Sequence, residues 1–212
     1  MDFLKFVNEN KESLVKDLIS LLQINTVGFN QLDNKDAPFG EGVRDALLYM
    51  LELGKKNGFV VRNVDNVAGH IEYGEGDEVI GVLSHLDVVP AGDGWTYPPF
   101  SGTVADGKIY ARGALDDKGP AMSSFYALKI LKDAGIKLNK KVRLILGTDE
   151  ETGMRGVKRY LEVCKMPDLG FSPDANFPLI YGEKGIMSID IMSDEKSDII
   201  LNAGERYNVV PD

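Results

Sequence analysis

Four short stretches of this sequence carry side chains of the kinds that bind metal ions and move protons. They are His85 with Asp87, the pair Asp116 and Asp117, the pair Glu150 and Glu151, and Asp174. A histidine followed two residues later by an aspartate suggests a metal ligand with its orienting partner, because a ligating imidazole usually donates its other N–H to a carboxylate. Each stretch alone is weak support, since isolated acidic pairs are usually solvated surface and isolated histidines are usually structural.

Three of these stretches come directly after apolar runs that are typical of strands. The runs that end in these groups are Val79–Asp87, Val142–Asp149 and Leu169–Asp174. Helical patterns separate the runs, and this alternation predicts a largely parallel sheet. Ligand sites in such sheets lie beyond the carboxyl ends of the strands. We therefore expect the three strand ends to gather their polar side chains at one edge.

The remaining elements fit the same class of fold. Helices are predicted over residues 2–24, 42–57, 120–135 and 157–164, with further strands over residues 60–64 and 67–73 and a hairpin turn at 106–107. The long polar and Pro-rich stretches between them are predicted to be loops. The expected fold is α/β, with a mostly parallel mixed sheet flanked by helices.

Composition narrows the class of protein further. The 212 residues are 43% hydrophobic and 27% charged, as in soluble globular proteins. The net charge of −9 argues against a nucleic-acid surface, and no apolar run is long enough for a membrane helix. Cys164 is the one cysteine, so no internal disulfide forms and a cytoplasmic location is expected. A buried structural thiol is the expected state of Cys164.

One imidazole gathered with several carboxylates implies a bound cation. The carboxylates would repel one another unless positive charge lay between them. A mixed His, Asp and Glu ligand set suits zinc better than calcium or magnesium, and manganese or cobalt are possible substitutes. The sequence therefore predicts a zinc site at this edge of the sheet.

Together the motifs resemble the di-zinc metallopeptidase family of carboxypeptidases, aminoacylases, desuccinylases and dipeptidases. The motifs are His85-Leu86-Asp87, residues 111–119 (ARGALDDKG), Asp149-Glu150-Glu151 and Ser172-Pro173-Asp174. The match covers about Lys5 to Asp212. Residues 116–120, 174–178 and 182–185 look most like the bacterial dipeptidase V branch, which cleaves carnosine and other Xaa-His dipeptides.

The resemblance implies a role for each motif residue. His85 and Asp174 would bind one zinc ion and Glu151 a second, with Asp116 bridging the two and followed by a cis peptide bond. Asp87 would orient His85, and Glu150 would be the general base. Asn208 resembles a residue that contacts the substrate.

One family feature is missing from this sequence. The family's second zinc ion takes a histidine from near the C-terminus of a chain about twice as long, and this chain has no such histidine. We expect residues 1–184 to be the N-terminal portion of the catalytic domain. Residues 185–212 would begin an α+β lid domain, with strands at 186–191 and 199–201. A chain of this extent would be weakly active or inactive alone.

The resulting hypothesis is a zinc-dependent hydrolase that cleaves dipeptides, with no nucleic-acid or membrane partner. An N-acyl amino-acid deacylase or desuccinylase is the closest alternative, because it uses the same zinc site on a different acyl group. A non-catalytic α/β binding module is a second alternative. No Gly-rich phosphate-binding loop in the sequence supports this second alternative, since the glycines at 74 and 76 precede a strand and not a helix. Neither the exact substrate nor the oligomeric state follows from the sequence.

Overall fold

The computed structural model describes residues 3–29, 34–185, 187, 200–202 and 209–211. The chain divides into two compact units, Met1–Ala175 and Asn176–Asp212. In the second unit, strands β8 (Ile200–Asn202) and β9 (Val209–Pro211) pair antiparallel. The predicted lid strand over 186–191 lies almost wholly outside the described residues, and the domain boundary at 184–185 stays a prediction.

A five-stranded mixed sheet forms the centre of the first unit. Its strands are β1 (Val60–Val64), β2 (Ala68–Tyr73), β3 (Val79–His85), β6 (Lys141–Gly147) and β7 (Leu169–Phe171), in the order β1-β2-β6-β3-β7. The strand β3 pairs parallel with both β6 and β7, whereas β2 pairs antiparallel with β1 and β6. The predicted α/β class with a mixed sheet is confirmed. The hairpin strands β4 (Thr103–Ala105) and β5 (Lys108–Tyr110) flank the expected turn.

In the described part of the first unit, four helices cover the two faces of the sheet. They are α1 (Phe3–Leu22), α2 (Glu41–Lys56), α3 (Lys118–Asp133) and α4 (Arg155–Val163). Leu144 and Leu146 belong to the main core cluster with buried residues of α1, α2 and α3, whereas Ile145 belongs to a second cluster with Tyr160 of α4. Successive side chains of a strand point to opposite faces, so α4 lies across the sheet from the other helices.

The helices begin and end close to where the sequence patterns place them. Helix α2 ends before Gly58, whose φ of +72° is a backbone conformation that glycine adopts without strain. Along the described residues, no helix combines the length and the apolar character needed to cross a membrane.

Candidate metal centre

The parallel register of β3, β6 and β7 brings their polar ends together. His85, the last residue of β3, pairs with Gly147, the last residue of β6. Phe171 at the end of β7 pairs with Val82, so the three residues that follow bring Asp174 level with His85. The Ser172 hydroxyl donates to the carbonyl of Leu83 at 2.8 Å and holds this segment against β3.

His85 presents one bare ring nitrogen to two carboxylates. Its imidazole is buried, and Nδ1 lies 3.0 Å from the backbone carbonyl oxygen of Asp87. Because a carbonyl oxygen only accepts, this contact assigns the proton of the neutral ring to Nδ1 and leaves a lone pair on Nε2. Nε2 lies 3.1 Å from Asp116 Oδ1 and 3.3 Å from Asp174 Oδ2. It makes no hydrogen bond within the described part of the chain.

Asp87 contacts both His85 and the paired glutamates. Its carboxylate Oδ1 is 3.5 Å from His85 Nδ1, so the shorter orienting contact comes from its backbone oxygen. The two carboxylate oxygens accept the backbone N–H groups of Glu150 and Glu151, each at 3.1 Å. Asp87 therefore positions the turn that carries Glu150 and Glu151, here called the glutamate turn, as well as the imidazole. The sequence pattern did not reveal this second task.

Adjacent aspartates 116 and 117 occupy different environments. The peptide bond between them is cis, as predicted from the family resemblance. The Asp116 side chain is 61% exposed and reaches His85 Nε2. Asp117 is fully buried, and its Oδ2 accepts the backbone N–H of His85 at 3.0 Å while Oδ1 has no hydrogen-bond partner among the described residues. Asp117 also lies with His85 and Asp174 in a group whose ligand atoms are within 4.8 Å of one another.

Helix α3 begins directly behind the aspartate pair. The buried ammonium group of Lys118 donates to the carbonyl oxygens of Ile24 at 2.8 Å and Leu21 at 3.2 Å, which ties the pair to the end of α1. Burial lowers the pKa of Lys118 to about 7. A Cβ atom on Gly119 would lie 2.0 Å from the carbonyl oxygen of Ala114, so only glycine fits there.

Glu150 and Glu151 approach His85 from the turn after β6. One ligand atom from each of these three residues lies within 4.8 Å of the others. The pKa values of both glutamates are raised, chiefly because the carboxylates are partly buried. This group and the group formed by His85, Asp117 and Asp174 share the same imidazole.

The electrostatic environment favours positive charge at this position. Burial alone lowers the pKa of His85, but the neighbouring carboxylates of Asp87, Asp117 and Asp174 outweigh it and raise the pKa to about 10. Without a cation the ring would therefore hold a second proton on Nε2, and a bound cation would take the place of that proton. Burial raises the pKa of Asp117 to about 7 and also raises that of Asp174. These carboxylates and the bare Nε2 of His85 fit a divalent cation with mixed nitrogen and oxygen ligands.

The predicted site residues do not all lie within the described residues. His85, Asp87, Asp116, Glu150, Glu151 and Asp174 come together as described above, whereas Asn208 lies outside the described residues. The other histidine of the chain, His70, is buried in β2 with Nδ1 2.7 Å from the Tyr160 hydroxyl. Sequence reasoning also missed Arg155, whose guanidinium holds Asp149 beside the glutamates. No spacing pattern in the sequence marks this contact.

Comparison with known proteins identifies the family of this chain. Residues 81–198, more than half of the chain, match Peptidase family M20/M25/M40, and the chain belongs to this family. A Bacillus subtilis (strain 168) protein named "Putative dipeptidase YtjP" is 49% identical over 97% of this chain and 46% of its own length. The chain thus spans about half the length of the curated relatives it matches.

Solved structures share the fold of the first unit. The crystal structure of human carnosine dipeptidase 1 superposes with a TM-score of 0.69 at 21% identity, covering 82% of this chain and 40% of that protein. The M20 family metallo-carboxypeptidase Sso-CP2 from Sulfolobus solfataricus gives a TM-score of 0.57 at 27% identity, covering 70% of this chain and 33% of that protein. In both comparisons this chain covers less than half of its longer neighbour.

Proposed function

We propose that the full-length protein is a zinc-dependent dipeptidase that hydrolyses the peptide bond of small dipeptides. The observation that carries this proposal is the buried Nε2 of His85, which makes no hydrogen bond to any described residue while Asp116 and Asp174 oxygens lie 3.1 and 3.3 Å away. Family membership and the name of the Bacillus relative support the peptidase class. Manganese and cobalt are possible substitutes for zinc.

The side chains divide between binding the cations and moving the proton. His85 and Asp174 would hold one zinc ion, Glu151 a second, and Asp116 would contribute to both. Zinc bound there supplies positive charge that makes a water molecule more acidic and polarises the scissile carbonyl group. Asp87 holds the imidazole and the glutamate turn in position through its contacts with His85, Glu150 and Glu151.

Glu150 is the proposed general base. Its carboxylate would take a proton from the attacking water and return it to the amine that leaves, which regenerates the carboxylate after each turnover. Partial burial raises the pKa of Glu150 and so moves its basicity towards the working pH. The backbone N–H of Glu150 is anchored on Asp87, which fixes the start of the side chain beside His85.

The proposed substrates are Xaa-His dipeptides such as carnosine, or dipeptides more broadly. The names of the Bacillus relative and of human carnosine dipeptidase 1 motivate this choice. Asn208 would contact the substrate. We propose a cytoplasmic enzyme with small peptides as its partners and no role for nucleic acid or membrane.

The test is hydrolysis of β-Ala-His, an ordinary dipeptide, a tripeptide and an N-succinyl amino acid by the full-length protein, with and without a chelator. We expect cleavage of the dipeptides alone, loss of activity with chelator and recovery with zinc. E150Q should lower kcat at least about 100-fold, since general-base catalysis typically contributes this much. E75Q, on an exposed glutamate in the loop before β3, is the matched control and should keep full activity.

Two other outcomes would overturn the proposal in different ways. Cleavage of the N-succinyl amino acid alone would identify a deacylase that uses the same site. No zinc binding, together with no effect of an alanine at Asp116, would favour a non-catalytic binding module.

A further inference from the structure

The segment from Asp149 to Met154 folds back on itself around one buried carboxylate. The backbone carbonyl of Asp149 accepts the N–H groups of Gly153 at 3.1 Å and Met154 at 2.6 Å, which closes the turn. Thr152 donates its hydroxyl to the Asp149 side chain. Glu150 and Glu151 lie inside this closed turn, so its geometry sets where their side chains begin.

Arg155 donates the remaining hydrogen bonds to the Asp149 carboxylate. Its Nε donates to Asp149 Oδ2 and its Nη2 to Oδ1, both at 2.7 Å, and its backbone N–H donates to Oδ2 at 3.0 Å. A paired contact of this kind fixes orientation as well as distance. The guanidinium carbon of Arg155 also lies 4.8 Å from the centre of the Phe39 ring, which packs one face of the group.

The glutamate turn is therefore held from two sides. On the side of His85, the Asp87 carboxylate accepts both glutamate N–H groups. On the side of α4, the Asp149 carboxylate joins the turn to the first residue of the helix through Arg155. Removal of either carboxylate contact would leave the turn attached at one side only.

We propose that Arg155 and Asp149 are positioning residues for the metal centre, and that they act by fixing the backbone of Glu150 and Glu151. Neither residue is proposed to touch substrate or metal. The proposal rests on the proposed function for its catalytic consequence, whereas its structural consequence is independent of any activity. Outer contacts that orient metal ligands commonly change metal affinity or activity by about 10–100-fold.

The test compares three variants of the full-length protein. R155M removes the paired contact, and R155K keeps the charge without the fork geometry. R159M is the matched control, because Arg159 lies on the same helix and binds the carboxylates of Asp65 and Glu162, each at 2.8 Å. If R155M does not fold, R155K still allows the loss of the paired contact to be compared with the wild type.

Three readouts separate positioning from general stability. Amide hydrogen exchange at Glu150 and Glu151 should rise about tenfold or more in R155M relative to amides of β6, and R155K should fall between R155M and wild type. The affinity for Co²⁺, followed by its visible absorption, should fall about 10–100-fold, and kcat should fall with KM nearly unchanged. R159M should match the wild type within about twofold in all three readouts, as expected for an exposed ion pair.

The outcomes also distinguish this proposal from the proposed function. An active wild type whose R155M and R155K variants keep its exchange rates, Co²⁺ affinity and kcat would overturn the positioning role. Equal changes in R155M and R159M would also overturn it, since they would show a general effect of α4. A wild type that neither binds metal nor cleaves peptides would refute the proposed function, while the exchange rates would still decide whether Arg155 fixes the turn.

Discussion

At the scale of single residues, neighbours in the sequence have different tasks. Asp116 directs an exposed side chain towards His85 Nε2, whereas the buried Asp117 accepts the backbone N–H of the same histidine. The cis peptide bond lies between the two. The proposed distinction between Asp116 as a metal ligand and Asp117 as a supporting residue therefore rests on which way each side chain points.

Substitution of the two aspartates should separate these tasks. We expect D116N to raise the Kd for zinc by more than about tenfold, because loss of a ligand should cost at least as much as loss of an outer contact. D117N should change the Kd by less than about threefold, since an asparagine oxygen can still accept the His85 N–H. Isothermal titration of metal-free protein with zinc measures both values, and the reverse ranking would assign the bridge to Asp117.

At the scale of elements, α4 and the sheet share a buried polar network that contains none of the proposed site residues. His70 of β2 contacts the Tyr160 hydroxyl at 2.7 Å, and Arg143 of β6 donates to the same hydroxyl oxygen at 3.4 Å. Arg143 also pairs with Glu72 at 2.6 Å. Burial, reinforced by the charge of Arg143, lowers the pKa of His70 to about 4. The imidazole of His70 is therefore neutral, and its Nδ1 accepts a hydrogen bond from the Tyr160 hydroxyl.

This network predicts a specific dependence of stability on pH. The unfolded chain, with a histidine pKa of about 6.5, binds the proton more readily than the folded chain does. His70 therefore costs no stability above about pH 6.5 and lowers it progressively as the pH falls from there towards 4. We expect H70Q to reduce the slope of unfolding free energy against pH in this window by up to about 1.4 kcal/mol per pH unit. Urea unfolding of both proteins at several pH values gives the slopes, and parallel curves would contradict the neutral state of His70.

At the scale of the whole molecule, the candidate metal centre joins parts of the chain that are distant in sequence. His85, Asp116, Glu151 and Asp174 come from four separate loops or strand ends of the first unit. A ligand that binds only the folded state stabilises it by mass action. Folding and metal binding are therefore coupled in the proposed enzyme.

Zinc should raise the melting temperature of the protein. At a free zinc concentration about 100 times the Kd, the expected stabilisation is about 2.7 kcal/mol, or a shift of roughly 5–10 °C for a domain of this size. Calorimetry with zinc and with chelator measures the shift. The H85A variant should lose most of it, and magnesium should produce a smaller one because it prefers oxygen ligands. An equal shift in H85A would place the stabilising ion elsewhere.

Most of the elements and the residue types of the site could be predicted from the sequence. The apolar runs before His85 and Asp149 determined the strands β3 and β6, because burial of a strand on both faces requires such runs. The strand β7, before Asp174, is short and its three residues are all exposed. The motifs then identified the candidate ligands and the family. These features are local, and local patterns are what periodicity and spacing record.

The tertiary structure decided which groups meet. The contact of Arg155 with the Asp149 side chain, and those of Asp87 with the Glu150 and Glu151 backbones, depend on how α4 and the strand ends pack. The buried ammonium of Lys118 meets Leu21 at the end of α1 and Ile24 just after it, both more than ninety positions away in the chain. Side-chain direction and long-range contact arise from packing around the sheet, so no spacing rule along the chain contains them.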